Sequence, residues 1–528
     1  MTMKKQIITA LGLLISLGAV AQVPEDVLKY SWQPHGGTAR IQAVGGAMGS
    51  LGGDISSTFI NPAGLAFYKT SDFVLSPGYS FLKNKGSFRG TDAKDKDNFF
   101  NLGTSGIVGG LQGGRKWTNK AISLAVTRSA NFSNRIFYTG QNDFSSFGEQ
   151  YAAEAAYSGL SLNNDEIFKS PNVSMATKMA LWNYLADTAT LPGNSLPDFV
   201  STAMYDHLKN GNAFLVNQSH LIETSGGITE AALGFAANMD DKIYIGGSLG
   251  IPIVRYNKRS VLLEEDATGD TENYFDFAEM RENFSTKGVG FNLKAGVIIK
   301  PAEFVRLGLA IHSPTWYSLQ DSYDATLTSY LENYYETSPG VIRSVTSQEI
   351  SNLFSGGAAS VYKYELITPW KFLVSGSYVL REIADVRSQK GFITADIEYV
   401  THKSSRFRNA EDYDDGGYYD GLNEVVKDYY KNALNFRIGG ELKFTTLMTR
   451  LGFAYYGNPY ADSELKANRM FLSGGIGYRH AGMYIDLTYV HGLQKDISFP
   501  YRLPDKANTF ATTRSTGSNL LLTLGFKI

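Results

Sequence analysis

The chain has 528 residues with 54 glycines and no cysteine, and its charged residues make up 19%, against about 25% in an ordinary soluble domain. Its 32 tyrosines and 31 phenylalanines are enough to bury a large core, which excludes a disordered chain. The net charge of −2 provides no basic field for nucleic acid, and the lack of cysteine excludes disulfides, thiolate nucleophiles and zinc–thiolate sites. We therefore expect a glycine- and aromatic-rich, all-β protein with no nucleic-acid partner.

The first 21 residues have the pattern of a secretory signal peptide. Lys4 and Lys5 precede a mostly apolar stretch over residues 7–18, and small residues at 19–21 form a cleavage site ahead of Gln22. A membrane anchor is the alternative, but this apolar stretch is too short to cross about 30 Å of hydrocarbon as a helix. We expect the mature chain to begin near Gln22 and to leave the cytoplasm.

From residue 72 onward the sequence alternates between apolar and polar side chains, which is typical of strands with two different faces. Within residues 433–444, for example, Leu434 and Phe436 alternate with Asn435 and Arg437. Fourteen segments show this pattern. Their limits are 72–83, 99–113, 119–135, 218–239, 241–261, 284–299, 303–329, 358–381, 390–404, 432–445, 447–457, 468–480, 482–493 and 517–528.

The connections between these segments alternate between two length classes. The short ones are 114–118, 240, 300–302, 382–389, 446 and 481. The long ones are 84–98, 136–217, 262–283, 330–357, 405–431, 458–467 and 494–516. A soluble sandwich has no reason to keep every second loop short, whereas outer-membrane barrels have short periplasmic turns and longer external loops. The sequence therefore predicts an all-β fold, a 14-stranded antiparallel transmembrane β-barrel in the outer membrane.

In such a barrel the apolar face of each strand meets lipid, and the polar face lines the lumen. A charge on the lipid face costs about 2–4 kcal/mol at the midplane, so several charged residues are expected to point inward. The simplest role for them is to hydrate or cross-brace the lumen rather than to bind a substrate. They are Arg306, Asp396, Glu398, Arg437, Glu441, Lys443 and Asp486.

Residues 36–68 precede the first strand and are glycine-rich, with little alternation. A coil this irregular cannot span lipid, so it belongs in the periplasm or inside the barrel. The stretch contains repeated glycines followed by a Ser/Thr run and an Asn-Pro-Ala-Gly-Leu motif. These glycines are Gly45, Gly46, Gly49, Gly52 and Gly53, and the motif begins with Asn61, Pro62, Ala63 and Gly64. This run resembles the N-terminal hatch of the FadL/TodX family of outer-membrane transporters, in particular its Bacteroidetes-type branch.

The resemblance extends into the barrel, where Thr368-Pro369-Trp370 resembles a mid-barrel motif of the family and residues 474–479 fit its last hairpins. It implies a hatch over residues 22–70 that plugs a barrel over residues 71–528. It also implies transport of long-chain fatty acids or other hydrophobic small molecules, with lateral release through a gap in the wall. A bulge, glycine or proline would open such a gap, and the candidates include 103–114 and 77–78.

The resemblance implies three kinds of partner: a hydrophobic ligand, the outer-membrane lipid and the barrel assembly machinery. The sequence leaves the ligand open between fatty acid, aromatic hydrocarbon and haem. Two alternatives to a transporter of hydrophobic compounds also stay open. One is a general porin, and the other is a surface receptor of the haemin or adhesin type.

The loop predicted over residues 136–217 is far longer than a barrel requires. Residues 149–160 and 173–186 are expected to form short helices with apolar side chains. Such side chains would suit an external docking groove for a lipid-like ligand, although they could equally pack the loop onto itself. The groove candidates are Met175, Met179, Trp182 and Leu185.

Motifs of catalysis are weak in this chain. Residues 246–250 match the Gly-x-Ser-x-Gly pattern but lie inside an alternating strand, where a nucleophile elbow does not form. The sequence contains neither a phosphate-binding loop nor a zinc-binding His-Glu-x-x-His helix. We therefore expect no enzymatic activity, no cofactor and no metal.

Overall fold

The computed structural model describes residues 24, 26–32, 34, 36–114, 116–161, 165–334, 340–358, 360–380, 390–410, 417–462 and 467–528. The predicted signal peptide and the predicted turn over 382–389 lie outside these residues.

The described residues form a closed antiparallel barrel of fourteen strands, as predicted, and several strands consist of two segments. The strands are β1 (Asp72–Leu75 and Pro77–Phe88), β2 (Thr91–Leu102 and Ser105–Gln112), β3 (Trp117–Asn131 and Asn134–Asn142), β4 (Val216–Met239), β5 (Ile243–Asp266), β6 (Phe277–Ala302), β7 (Val305–His312 and Trp316–Tyr330), β8 (Val361–Ile367 and Lys371–Leu380), β9 (Gly391–Val400 and Arg406–Asn409), β10 (Ala433–Phe444), β11 (Leu447–Tyr456), β12 (Arg469–His480), β13 (Met483–Ser498) and β14 (Ala511–Lys527). Each strand pairs with its neighbours in sequence, and β14 closes the barrel on β1.

The chain enters β1 and leaves β14 at the same end of the barrel, and this end carries the short turns. Asp72 at the start of β1 is directly opposite Lys527 at the end of β14. Since an even-stranded outer-membrane barrel keeps its termini on the periplasmic side, this end faces the periplasm and the long excursions face outward.

The prediction of a long loop over 84–98 is wrong, because these residues continue β1 and β2 around a two-residue turn. Arg89 and Gly90 form that turn with φ of +49° and +85°, which suits the primed turns of β-hairpins. The outer part of this hairpin carries Lys and Asp on its outward face and Asp on its inward face. Without an apolar face, its strands lack the alternating pattern that sequence analysis depends on.

The longest excursion is shorter than predicted. The alternation of β3 resumes after a bend and continues to Asn142, and β4 begins at Val216 in register with it. The excursion therefore spans residues 143–215 and includes a two-stranded hairpin, Ala186–Ala189 with Asp198–Ser201. One further short strand, Arg343–Thr346, extends the sheet beside β7.

The helices lie in the N-terminal segment and in the external excursions. They are α1 (Asp26–Ser31), α2 (Ala39–Ala43), α3 (Ser57–Ile60), α4 (Gly148–Ser158), α5 (Glu166–Lys169), α6 (Met175–Trp182), α7 (Thr202–Asn210), α8 (Ser347–Phe354) and α9 (Tyr418–Tyr429), with 3₁₀ turns at Pro62–Phe67 and His402–Ser404. None of the helices in the described part of the chain is long and apolar enough to cross a membrane.

The external excursions pack together over the outer end of the barrel. Phe147, Ile167 and Val173 of the longest excursion are buried in one cluster with Phe275 and Tyr501 from two other loops. Burial of this much apolar surface stabilises a cap of fixed shape rather than a set of separate loops.

Candidate functional site: a filled lumen and the cavity above it

The N-terminal segment lies inside the barrel, where the predicted hatch was expected. Ala39, Val44, Ala47 and Leu65 of this segment are completely buried. The segment packs against the inward face of strands on every side. It fills the periplasmic half of the lumen.

Asn61 and Pro62 join two turns of the hatch. The Asn61 side-chain oxygen accepts a hydrogen bond from the Ala63 N–H at 3.2 Å and so caps the 3₁₀ turn that Pro62 begins. The Asn61 amide group donates to the carbonyl oxygen of Gly49 at 2.6 Å. Proline suits this first position because it has no N–H to satisfy and a fixed φ. Ala63 and Gly64 are buried within the turn.

The hatch glycines allow tight turns and close contact with the wall. Gly45, Gly46, Gly52 and Gly53 all adopt positive φ, between +68° and +78°, where other residues are strained. Gly49 has an ordinary φ, but a Cβ there would lie 2.7 Å from the Cβ of Ser375.

The wall supplies complementary glycines on its inward face. A Cβ on Gly308 would overlap the carbonyl oxygen of Gly49, and one on Gly452 would overlap the backbone nitrogen of Gly45. A Cβ on Gly296 would overlap the Asn61 side chain. Further wall glycines in close contact with the hatch are Gly110, Gly234, Gly246, Gly439 and Gly475. Backbone therefore packs directly on backbone around the hatch, with no room for a side chain.

Two inward-facing charged residues hold the hatch by hydrogen bonds. The Asp396 carboxylate accepts from the backbone N–H groups of Met48 and Gly49 at 3.1 and 3.2 Å. The Arg306 guanidinium donates to the carbonyl oxygen of Leu51 at 2.8 Å. Hydrogen bonds with one charged partner are stronger than neutral ones, so these residues fix the middle of the hatch.

The remaining inward charges form buried ion pairs, as the cross-bracing interpretation expects. Arg450 contacts Glu441 at 2.6 Å and Asp486 at 2.5 Å, and Arg437 contacts Glu398 at 3.3 Å. All of these side chains are buried, and Lys443 is half-buried.

Arg40 of the hatch joins this network through Glu441, at 3.6 Å. Burial alone lowers the pKa of the Arg40 guanidinium, but the carboxylates of Glu441 and Asp54 outweigh burial and raise that pKa above its ordinary value. Arg40 therefore stays charged and ties the hatch electrostatically to the wall.

Above the hatch lies a cavity of about 1260 Å³. Aromatic side chains from the hatch, the wall and an external helix line it, among them Trp32, Phe132, Tyr256, Tyr418 and Phe471. Charged residues, among them Arg128, Lys258 and Glu282, also line it. A cavity that offers aromatic surface beside polar groups can hold a small molecule.

The N-terminal helix α1 forms part of this lining. The Lys29 ammonium lies 4.3 Å from the ring centre of Tyr256 and pairs with Asp26. Burial lowers the pKa of Lys29, but the Asp26 carboxylate outweighs it and the pKa rises well above its ordinary value. The Arg469 guanidinium stacks on Trp32 at 3.8 Å. Cation–π contacts and an ion pair thus anchor the beginning of the hatch at the cavity.

The hydrogen-bonded wall is broken beside this cavity, between β2 and β3. These two strands pair only through residues 105–112 and 119–126, and the outer segment of β2, residues 91–102, pairs with β1 alone among the described residues. The register of β3 against β4 shifts between Arg128 and Ala130. At the same level Gly226 of β4 has φ of +98°.

The bend directs the outer segment of β3 to the inner side of β1 and β2. A Cβ on Gly86 of β1 would lie 2.5 Å from the Phe137 carbonyl oxygen, so the two strands are stacked and not side by side. Across the break, Arg135 contacts Asp95 at 2.7 Å. Residues from both edges, including Phe99 of β2 and Ser129 of β3, line the cavity. The cavity therefore reaches the wall where the ladder is interrupted.

The candidate gap segments lie close to this break but do not coincide with it. Residues 105–112 of the first candidate are fully paired with β3, and Gly78 of the second is paired with β2 and β14. The Gly226-Gly227 pair in β4 was the available sequence signal, since adjacent glycines inside a strand indicate a bend.

The four predicted groove residues belong to one part of the external cap. Met179 and Leu185 are completely buried in its core, Met175 is half-buried against it, and Trp182 is 39% exposed. Trp182 packs edge-on against Phe354 of α8. The four residues do not line an open groove, because neighbouring loops cover two of them.

Comparison with known proteins gives matches in structure only. No protein-family model and no curated protein matches the sequence. The solved structure of a FadL homologue from Pseudomonas aeruginosa is similar, with a TM-score of 0.53 and 13% identity over 94% of this chain and 99% of that chain. A deltaS2 mutant of the TodX monoaromatic hydrocarbon channel has a TM-score of 0.50 and 13% identity, with 94% and 99% coverage.

At such low identity the similarity establishes the fold. Both proteins are covered almost completely, so the agreement extends over nearly the whole of each chain. The chain is a fourteen-stranded outer-membrane barrel with the fold of the FadL/TodX family.

Proposed function

We propose that the protein carries hydrophobic small molecules across the outer membrane, through the cavity and out through the break between β2 and β3. The observation that carries this proposal is the position of the break. A filled lumen beneath the cavity obstructs a straight aqueous path, whereas the ladder is broken where the cavity meets the wall, which favours a sideways path. An apolar solute is stabilised on that path because it leaves water, first for the aromatic surface of the cavity and then for lipid.

The similar structures support this class of ligand. One is a FadL homologue, and the other is described as a channel for monoaromatic hydrocarbons. A general porin fits less well, because a pore for polar solutes is better served by an open lumen. The outer-membrane lipid and the assembly machinery remain predicted partners.

Long-chain fatty acids are the ligands we favour. Lys258 lines the cavity, and among the described residues it makes no ion pair. Its ammonium group would suit a carboxylate, while the aromatic lining would suit an acyl chain. Release would require the hatch and the bent segment of β3 to guide the chain sideways, and the Asn61–Gly64 motif would keep the hatch turn rigid during that step.

A cross-link across the break tests the lateral path. The chain has no cysteine, so Asp95→Cys with Arg135→Cys introduces two thiols at side chains that now touch across the break. We expect joining them with a short bifunctional maleimide to reduce uptake of a labelled fatty acid at least about tenfold, because lateral exit needs the two edges to separate.

Asn257→Cys with Ser285→Cys is the matched control. These residues are direct partners in the intact ladder between β5 and β6, so joining them restrains no break. Uptake unchanged by the first cross-link, or lowered equally by both, would contradict the lateral path.

A further inference from the structure

A row of cations crosses the outward face of four neighbouring strands. Direct register partners run from Lys94 on β2 to Lys85 on β1, Arg514 on β14 and Lys495 on β13. Directly opposed residues of antiparallel strands point to the same side of a sheet. These four side chains therefore share one face, spaced about 4.8 Å apart from strand to strand.

A second, shorter row lies next to the first, two residues closer to the membrane on each strand. There Lys83 of β1 is directly opposite Lys96 of β2. Two residues along a strand correspond to about 7 Å. We call these six residues, Lys83, Lys85, Lys94, Lys96, Lys495 and Arg514, the cation cluster.

The cation cluster begins where the lipid-facing surface ends. On the same faces, Phe81 precedes Lys83, and Phe100 follows Lys96 by four residues and is 85% exposed. Tyr79 packs edge-on against Phe100. Exposed aromatic rings of this kind mark the level of the lipid headgroups. Since the 89–90 turn is at the external end of the barrel, the cluster lies at the headgroups of the outer leaflet.

The charge of the cluster is poorly compensated within the protein. The outward-facing positions of these four strands, all of them described, carry one carboxylate, Asp92, which contacts Lys85 at 2.7 Å. Like charges placed directly opposite each other destabilise a sheet. Four such juxtapositions occur here: Lys83 with Lys96, Lys85 with Lys94, Lys85 with Arg514, and Arg514 with Lys495.

We propose that the cation cluster binds the phosphate groups of a lipid headgroup in the outer leaflet, with a phosphorylated glycolipid as the ligand class. Lys and Arg side chains in two rows can each contact a phosphate oxygen. Because the cation cluster extends over a greater length than one phosphate group, a headgroup with two phosphates fits it better than a headgroup with one. The aromatic residues below the cluster contact the acyl chains of the same lipid. This site is independent of the molecule that the barrel transports.

Binding to vesicles tests the site. The probe is phosphatidylcholine vesicles with or without bisphosphorylated lipid A, and the readout is transfer of a fluorescent lipid A to the purified, folded barrel. We expect Lys83→Gln, Lys94→Gln, Lys96→Gln and Arg514→Gln together to weaken this binding at least about tenfold, since each cation at an anionic surface contributes several-fold. Added salt should weaken wild-type binding in the same direction.

A second quadruple variant is the control, with Arg255→Gln, Arg259→Gln, Arg281→Gln and Lys287→Gln. These cations also face outward but lie among Glu223 and Glu279 on β4 to β6. Heat-modifiable migration on gels checks that both variants are folded. Equal weakening of binding in the two variants overturns the site. Wild-type binding that is equally tight to lipid with and without phosphate groups also overturns it. Binding of free tripolyphosphate as tight as that of the lipid overturns the assignment to a lipid headgroup.

Discussion

Gly308→Leu is expected to open the lumen to small polar solutes. Gly308 lies on the inward face of β7, and any Cβ there overlaps the backbone of Gly49. Backbone cannot rotate away as a side chain can, so the hatch must shift at a cost of about 3 kcal/mol or more. The measurements are conductance of the purified barrel in planar bilayers and uptake of a small sugar by cells.

Gly376→Leu is the matched control for this substitution. Gly376 lies on the next strand, directly opposite Leu307, and its nearest neighbour beyond a new Cβ is 4.0 Å away. It adds a leucine to the outward face, where lipid accommodates it. If Gly308→Leu conducts no more than Gly376→Leu, the hatch is not held by close contact with the wall glycines.

Asp396→Leu is expected to release the middle of the hatch and to lower the stability of the barrel. The carboxylate is fully buried, accepts two hatch N–H groups and also contacts Ser375 at 2.5 Å. Its removal leaves those N–H groups unsatisfied and leaves Arg437, 3.9 Å away, with less compensation. Loss of one partner of a buried charge typically costs about 3–5 kcal/mol.

Limited proteolysis from the periplasmic side measures this release, alongside the temperature of unfolding. Asp396→Asn keeps the shape and one acceptor oxygen, so we expect an intermediate effect. Asp420→Asn, at an exposed position of α9, controls for loss of a charge and should change neither measurement. Protection of the hatch in Asp396→Leu equal to wild type would show that Asp396 does not hold it.

The barrel could be predicted because its surface obeys a simple rule. Residues such as Leu434 and Phe436 must face lipid, while Asn435 and Arg437 must face the lumen, and no other environment enforces that alternation so strictly. The number of strands and the burial of the inward charges follow from this rule, and both agree with the structure.

Features outside the lipid could not be predicted in this way. The outer ends of β1 and β2 carry polar residues on both faces, so their alternation is lost and a hairpin looked like a loop. The burial of Met179 depends on loops that are distant in sequence, as does the stacking of β3 behind β1. The break in the wall lies at a register shift beside Arg128, and its local sequence signal, the Gly226-Gly227 pair, is on the neighbouring strand β4 and does not specify which strand separates.

Selective uptake by cells that lack their own transporter for hydrophobic compounds tests most directly whether the barrel carries apolar and not polar solutes. Cells with the protein are compared with cells without it, using a labelled long-chain fatty acid, a labelled monoaromatic hydrocarbon and a labelled sugar of similar mass to the fatty acid. We expect protein-dependent entry of the fatty acid, the hydrocarbon or both, with no entry of the sugar. Entry of the sugar at a comparable rate would contradict this expectation, because the filled lumen would then not exclude polar solutes.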